Sequence, residues 1–166
     1  MVKLTNEEKL RYYNNPELAK QVILNDAADD KHIIFGAQAS NVQLPPNLRK
    51  HTEDFDIFVK KSKKEAEQTE KKLDKAYGGD LFRVEEAKHK GTWKVKSNVT
   101  NRTVADYTSQ GKKPKSTNIY GVRYATLDSI KRKIKKTLSD ERQEFRHSKD
   151  RETLQRIKLH EGGLDW

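Results

Sequence analysis

Apolar positions along this chain fall into short blocks whose spacing switches between helical and strand-like. The segment up to about Asp29 reads as helical. Within it, Asn15-Pro16 has the form of an N-cap followed by proline in the first turn, and Leu18, Val22 and Ile23 recur at helical spacing. This places an N-terminal helix at about 15–29. A short apolar strand, about His32 to Phe35, ends at Gly36. A short helix follows, stopped by Pro45-Pro46. From about Asp54 to Val59 polar and apolar residues alternate with period two, which predicts a second strand. Ser62-Lys63-Lys64-Glu65 has the capping-box pattern and opens a helix with Ala66, Leu73, Ala76 and Tyr77 on one side, ended by Gly78-Gly79.

Three strand-like runs come next, at about 81–87, 92–96 and 103–107. The turn-like Lys90-Gly91 and 98–101 between them predict a meander. A loop of Gly, Lys, Pro and Ser covers about 109–117, and a strand is expected near Tyr120 to Tyr124. Thr126 then serves as N-cap to a helix whose face is Leu127, Ile130, Ile134 and Leu138. A last helix is expected from about 139 to 160. The order strand-glycine-helix, strand, helix is a β-α-β-α opening. With neither repeat nor linker visible, 1–166 is expected to be a single domain of the α/β (α+β) class.

The chain has 166 residues, 33% hydrophobic and 36% charged, with no cysteine. Disulfide frameworks, thiolate metal sites and cysteine nucleophiles are therefore excluded. No apolar run approaches the roughly 20 residues of a membrane span, and the first residues lack the apolar stretch of a secretory signal, so an intracellular, cytoplasmic protein is expected. The net charge of +10 favours polyanionic partners, nucleic acid or a nucleoside triphosphate, over a merely solubilising surface.

The chemistry concentrates in the second strand. Asp54 and Asp56 flank Phe55, so their side chains share one face while Phe55, Ile57 and Val59 share the other. Two carboxylates on one face repel each other unless a cation lies between them. The simplest is an oxygen-loving divalent ion, Mg²⁺ or Mn²⁺. The strand-end Gly36 leaves backbone amides free, and a helix N-terminus after it favours phosphate. Each piece alone has a plainer reading: a tight turn for Gly36, a solvated strand face for the acids.

Taken in order, Gly36-Ala37 and then Leu48-Arg49, Thr52-Glu53-Asp54-Phe55-Asp56-Ile57 resemble the signature of the nucleotidyltransferase superfamily that includes the polymerase β-like enzymes. The resemblance extends from about His32 to Leu154. It implies a mixed sheet with helices packed on one side and a metal cleft on the other. It also implies a third carboxylate on a later strand, for which Asp106, sharing a face with Val104, is the candidate. Asp54, Asp56 and Asp106 would then hold Mg²⁺ or Mn²⁺, with Asp106 also taking the proton of the attacking hydroxyl. The reaction implied is transfer of a nucleoside monophosphate from a triphosphate to a hydroxyl acceptor, with DNA or RNA ends among the acceptors. Gly36, Ala37 and Ser40 would bind the nucleotide. Ala37 stands where the family has Gly or Ser, and Ser40 is the substitute hydroxyl. Lys149-Asp150 with Leu154 resembles a stretch that follows the catalytic strands in small family members, which puts Lys149 near the triphosphate. Arg142, Arg146 and Lys149 share one face of the expected last helix.

The stretch 110–137 holds nine basic residues and one acidic. Lys112, Lys113 and Lys115, with Lys131, Arg132 and Lys133, are candidates for nucleic-acid phosphates beside the cleft, and Tyr120 and Tyr124 for base stacking or core packing. The five histidines show no zinc spacing, although His51 lies close to the carboxylate strand. The competing function is a non-catalytic nucleotidyltransferase-like module that binds nucleic acid or protein, as in toxin–antitoxin-like systems.

Overall fold

Alternation along the strands is what makes this sheet two-faced. The computed structural model describes residues 3–162. In chain order it contains α1 (Asn6–Asn14), α2 (Glu17–Asp30), β1 (Ile33–Phe35), α3 (Gly36–Gln43), β2 (Phe55–Phe58), α4 (Ser62–Tyr77), β3 (Phe82–Glu86), β4 (Thr92–Ser97), β5 (Thr103–Thr108), β6 (Ser116–Ile119), β7 (Val122–Ala125), α5 (Leu127–Leu138) and α6 (His147–Gly162). Short 3-10 turns occupy Pro46–Leu48 and Glu141–Arg146. The strands form one sheet of seven in the order β3-β4-β5-β2-β1-β7-β6. β3, β4 and β5 are the expected antiparallel meander, β2 runs parallel to β5, and β1 pairs antiparallel to β2 and parallel to β7. The sheet is mixed, with helices on it, as read from the sequence. No helix among the described residues is long and apolar enough to cross a membrane.

One face is the core. Ile34, Phe55, Ile57, Val95, Ala105 and Tyr107 are almost wholly buried. They meet Ile23 and Ala27 of α2 and Ala66 and Leu73 of α4 in a single apolar cluster. Each such aliphatic or aromatic side chain contributes roughly 1.5–3 kcal/mol by leaving water. Ile57→Ala would cost roughly 2–5 kcal/mol.

A buried polar network sits inside this layer. The Thr69 hydroxyl donates to Asp26 Oδ2 at 3.1 Å and stands 2.5 Å from the Tyr107 hydroxyl. Thr69 has one proton and gives it to Asp26, so Tyr107 donates to Thr69. The Lys72 ammonium reaches Asp26 Oδ1, and His32 Nε2 lies 3.1 Å from Glu65 Oε2. These contacts tie α2 and α4 to β5 and to the residue that opens β1.

Several local expectations are corrected. The Thr5–Glu8 capping box starts α1, and Asn15 closes that helix instead of opening the next; Pro16 takes the N-cap position of α2 without a side-chain cap. The box read at Ser62–Glu65 does not form. Lys61 is the N-cap, Ser62 is already helical with its hydroxyl facing Ser109, and Glu65 turns inward to His32. Ala76 is exposed. The loop expected to reach 117 ends earlier, because Ser116–Ile119 pairs with β7 across a turn at Tyr120-Gly121. Instead of one helix from about 139 to 160, Asp140 caps a 3-10 turn through Arg142 N, Gln143 is non-helical, and α6 begins only at His147.

Candidate active site

β1, β2 and β5 deliver the candidate residues to one end of the sheet's other face. Asp56 lies directly across from Phe35 on β1 and from Asp106 on β5. Asp54 stands just before β2. The stretch that carries it is laced to α3: Gln38 Nε2 donates to the Asp54 carbonyl at 3.1 Å, and Asn41 exchanges two hydrogen bonds with the Lys50 backbone. The Thr52 hydroxyl donates to Asp54 Oδ1 at 3.2 Å. One carboxylate oxygen from each of Asp54, Asp56 and Asp106 lies within 4.8 Å of the others.

Gly36 explains how Asp56 fits. Its φ is +68°, and a Cβ placed there would stand 2.5 Å from Asp56 Oδ2. Only glycine adopts the turn and leaves room for the carboxylate. Phe35, the N-cap residue of α3, makes no side-chain cap, so the backbone N–H groups of the first turn of α3 have no side-chain acceptor there. Ala37 occupies that turn.

The electrostatics are those of an uncompensated site. Burial first, then the Asp106 and Asp54 charges, push the Asp56 pKa from its ordinary 3.8 up to about 7; Lys133 and Arg146 oppose the rise. Burial also raises Asp106, against the pull of Lys94, its cross-strand neighbour, and of Lys96. Asp106 Oδ1 is buried and lacks a hydrogen-bond partner among the described residues. Such a group is costly unless something positive meets it.

Lys133 is one of the cations whose charge acts on Asp56. Its ammonium sits 4.1 Å from the centre of the Phe35 ring, and desolvation lowers its pKa while Asp56 pulls it back up. Lys133, expected among the nucleic-acid lysines, is exposed on α5 and lies over Phe35, the residue paired with Asp56. The other members of that group separate too. Lys131 is held by Asp128 at 3.2 Å and Glu161 at 2.6 Å, joining α5 to α6, so it is not a free cation for nucleic acid. Arg132, Lys112, Lys113 and Lys115 are exposed.

Ser40 is corrected as a nucleotide ligand: it is completely buried and its hydroxyl donates to the Ala37 carbonyl at 3.1 Å, so α3 has no free hydroxyl there. Tyr124 is buried in the core, while Tyr120 is fully exposed at the hairpin tip. Arg142 bonds Asp140 in the 3-10 turn and does not share a face of α6 with Lys149. Lys149 is exposed on α6, and His51 is exposed beside Glu53. Sequence reasoning missed Asp150 as a site residue: it is buried, 3.7 Å from Arg146, and its charge acts on Lys133. It also missed Lys94 and Lys96, whose shared face was legible in Thr92–Ser97 as period-two alternation.

The chain is similar in structure to the Megavirus polyadenylate synthase, with a TM-score of 0.70 at 14% identity over 92% of this chain. The fold is nucleotidyltransferase-like. The chain spans 33% of the length of the Megavirus protein. It is also similar to JHP933 from Helicobacter pylori, with a TM-score of 0.51 at 16% identity, covering 95% of this chain and 68% of that one. No family model matches the chain, and no curated protein matches it. At these identities the nucleotidyltransferase-like fold is the shared property, and the chemistry has to be argued from the side chains.

Proposed function

We propose that this protein transfers a nucleoside monophosphate from a nucleoside triphosphate to a hydroxyl acceptor and releases pyrophosphate. The observation that carries the reading is the triad of Asp54, Asp56 and Asp106, pressed together and partly desolvated beside the left-handed Gly36. A structural role would satisfy these carboxylates with donors, whereas Asp106 Oδ1 has none among the described residues. The donor set is all oxygen, and its strain is relieved by positive charge, so it fits Mg²⁺ or Mn²⁺ held by Asp54, Asp56 and Asp106. When bound, the ion supplies charge neutralisation of the triphosphate and acidification of the attacking hydroxyl.

The chain's own residues do the rest. The free amides at Gly36 and Ala37 receive a phosphate oxygen at the start of α3. Lys133 and Arg146, the cations that already act on Asp56, face the transferring phosphates. Lys149, on the same helix as Asp150, reaches the outer phosphate. Asp106 takes the hydroxyl proton; its raised pKa makes it a better base than an ordinary carboxylate. Positioning and charge neutralisation are what such a transfer requires. Lys112, Lys113, Lys115 and Arg132 are free to hold the phosphates of a nucleic-acid acceptor.

The test is incubation with each labelled nucleoside triphosphate, Mg²⁺ or Mn²⁺ and a panel of DNA, RNA and small hydroxyl acceptors. Label transfer that disappears in Asp56→Asn is expected. Asp106→Asn should lower the rate more than it weakens nucleotide binding, because a base acts in the transition state. No transfer, together with no thermal stabilisation by metal and nucleotide, would leave a binding module in place of the enzyme.

A further inference from the structure

The strand registers bring two lysine-bearing segments and the residue that follows β5 together at the end of the sheet opposite the carboxylates. Val59 N donates to the Thr108 carbonyl at 2.9 Å, where β2 and β5 finish side by side. Ser109 N donates to the Gly91 carbonyl at 3.1 Å, joining the β3–β4 turn to the same place. The Ser62 and Ser109 hydroxyls, 3.4 Å apart, link the start of α4 to the segment after β5. Segments 59–64 and 87–91 hold six lysines, Lys60, Lys61, Lys63, Lys64, Lys88 and Lys90, and no carboxylate. All six are exposed. None is in an ion pair among the described residues; Lys63 instead rests over the Trp93 ring at 5.1 Å. An open hollow of about 490 Å³ lies beside Lys60, Lys61, Lys63 and Lys64, lined also by Ser62, Glu67 and Ser109.

Like charges gathered this densely repel one another and gain from a polyanion. From Asp56 to Lys60 is four residues of extended chain, about 13 Å at the rise of a strand.

We propose that this lysine pole is a second, sequence-independent docking surface for a nucleic-acid backbone, separate from the carboxylate cleft. Two observations favour nucleic acid over a lipid surface or an acidic protein. The exposed large apolar side chains Leu10, Tyr13, Val42, Tyr120 and Phe145 all lie outside these segments, and the half-buried Trp93 is covered by Lys63. The pole therefore lacks the exposed apolar anchor that seats a protein in a bilayer or centres a protein interface. What it does offer is lysine charge on two neighbouring segments, beside a hollow, which suits a chain of phosphates. Docking here does not depend on the cleft's chemistry. If the transfer reading holds, about 13 Å is about four steps of a duplex at 3.4 Å each, so one acceptor spans pole and cleft.

The experiment is binding of fluorescent single- and double-stranded DNA and RNA oligonucleotides, measured by anisotropy across a salt series without added metal. For K60Q/K61Q/K63Q/K64Q, affinity for every sequence should fall at least about tenfold near 0.1 M salt. The log–log salt slope on duplex DNA should flatten by about three. K88Q/K90Q, on a separate loop, should flatten it by up to about two. The all-arginine version of the quadruple variant should bind like the parent, which separates charge from folding. Asp56→Asn should keep oligonucleotide affinity while losing transfer, so failure of the cleft reading and failure of the pole are read separately. Unchanged affinity and slope in both glutamine variants would overturn the proposal. So would a parent protein that binds anionic phosphatidylserine vesicles but no oligonucleotide.

Discussion

Two clusters of acids lie on opposite faces of the same sheet, and their difference is instructive. Asp26, His32 and Glu65 bring ligand-type atoms within 4.8 Å of one another, as do Asp54, Asp56 and Asp106. By proximity alone the two are equal candidates for a metal. In the first, both Asp26 oxygens are taken, by the Thr69 hydroxyl and the Lys72 ammonium, and the Tyr107 hydroxyl closes the chain. In the second, burial and mutual repulsion raise two of the three carboxylates, and one oxygen of Asp106 finds no donor among the described residues. Asp26 is met by donors on both oxygens, whereas Asp56 is met by the charges of Asp106 and Asp54.

The sharpest way to break this contrast is to neutralise one cluster at a time. Asp54→Asn and Asp56→Asn should each reduce nucleotide transfer by at least about 100-fold in a label-transfer assay while far-UV circular dichroism stays unchanged. Wild-type rates in both would place the chemistry elsewhere. The mirror experiment is Asp26→Ala. It removes the carboxylate that accepts from the buried Thr69 hydroxyl, and is expected to cost about 1–3 kcal/mol in urea unfolding. A variant as stable as the parent would mean that the network holds nothing.

Gly36→Ala tests the narrow fit between the glycine turn and Asp56. The left-handed conformation costs a non-glycine residue about 1–2 kcal/mol, and the new Cβ would push the Asp56 carboxylate aside. Stability should fall by that amount in thermal melts, and transfer by a larger factor than the stability loss explains.

A pH series refines the comparison further. In metal-free protein Asp56 keeps its proton up to about pH 7, whereas the unfolded chain releases it near 3.8. The folded state therefore binds the extra proton between these values, and stability falls as pH rises from about 4 through 7. Asp74, raised to about 7 by burial and by Glu70, contributes with the same sign. The part that disappears in Asp56→Asn, or on adding Mg²⁺, belongs to the cleft; a slope unchanged by both would contradict the repulsion argued here. The smallest effect is expected for Lys133→Gln, which removes a counter-charge and should raise the Asp56 pKa a little further, visible by NMR titration of its carboxyl carbon.

Much of this was legible in the amino-acid order because it depends on local rules. Period-two alternation put Asp54 and Asp56 on one face and Phe55 and Ile57 on the other. The positions after Thr126 formed an amphipathic helix, and Gly91 marked a real turn. The order of elements gave the β-α-β-α opening, and the resemblance carried by Gly36, Thr52, Asp54 and Asp56 implied the nucleotidyltransferase-like sheet. Other features depended on residues far apart in sequence. The capping box at Ser62 does not form, and Glu65 lies instead against the buried His32, far earlier in the chain. Ser40 turned inward because helix α3 needed burial on that side. One apparent basic stretch divided, with Lys131 bound to Glu161 and Lys133 set over Phe35. Sequence by itself determined which side chains alternate and which residues carry charge. Only the tertiary structure decided which charges find partners and which are left unsatisfied, because satisfaction depends on neighbours that the register of distant strands brings together.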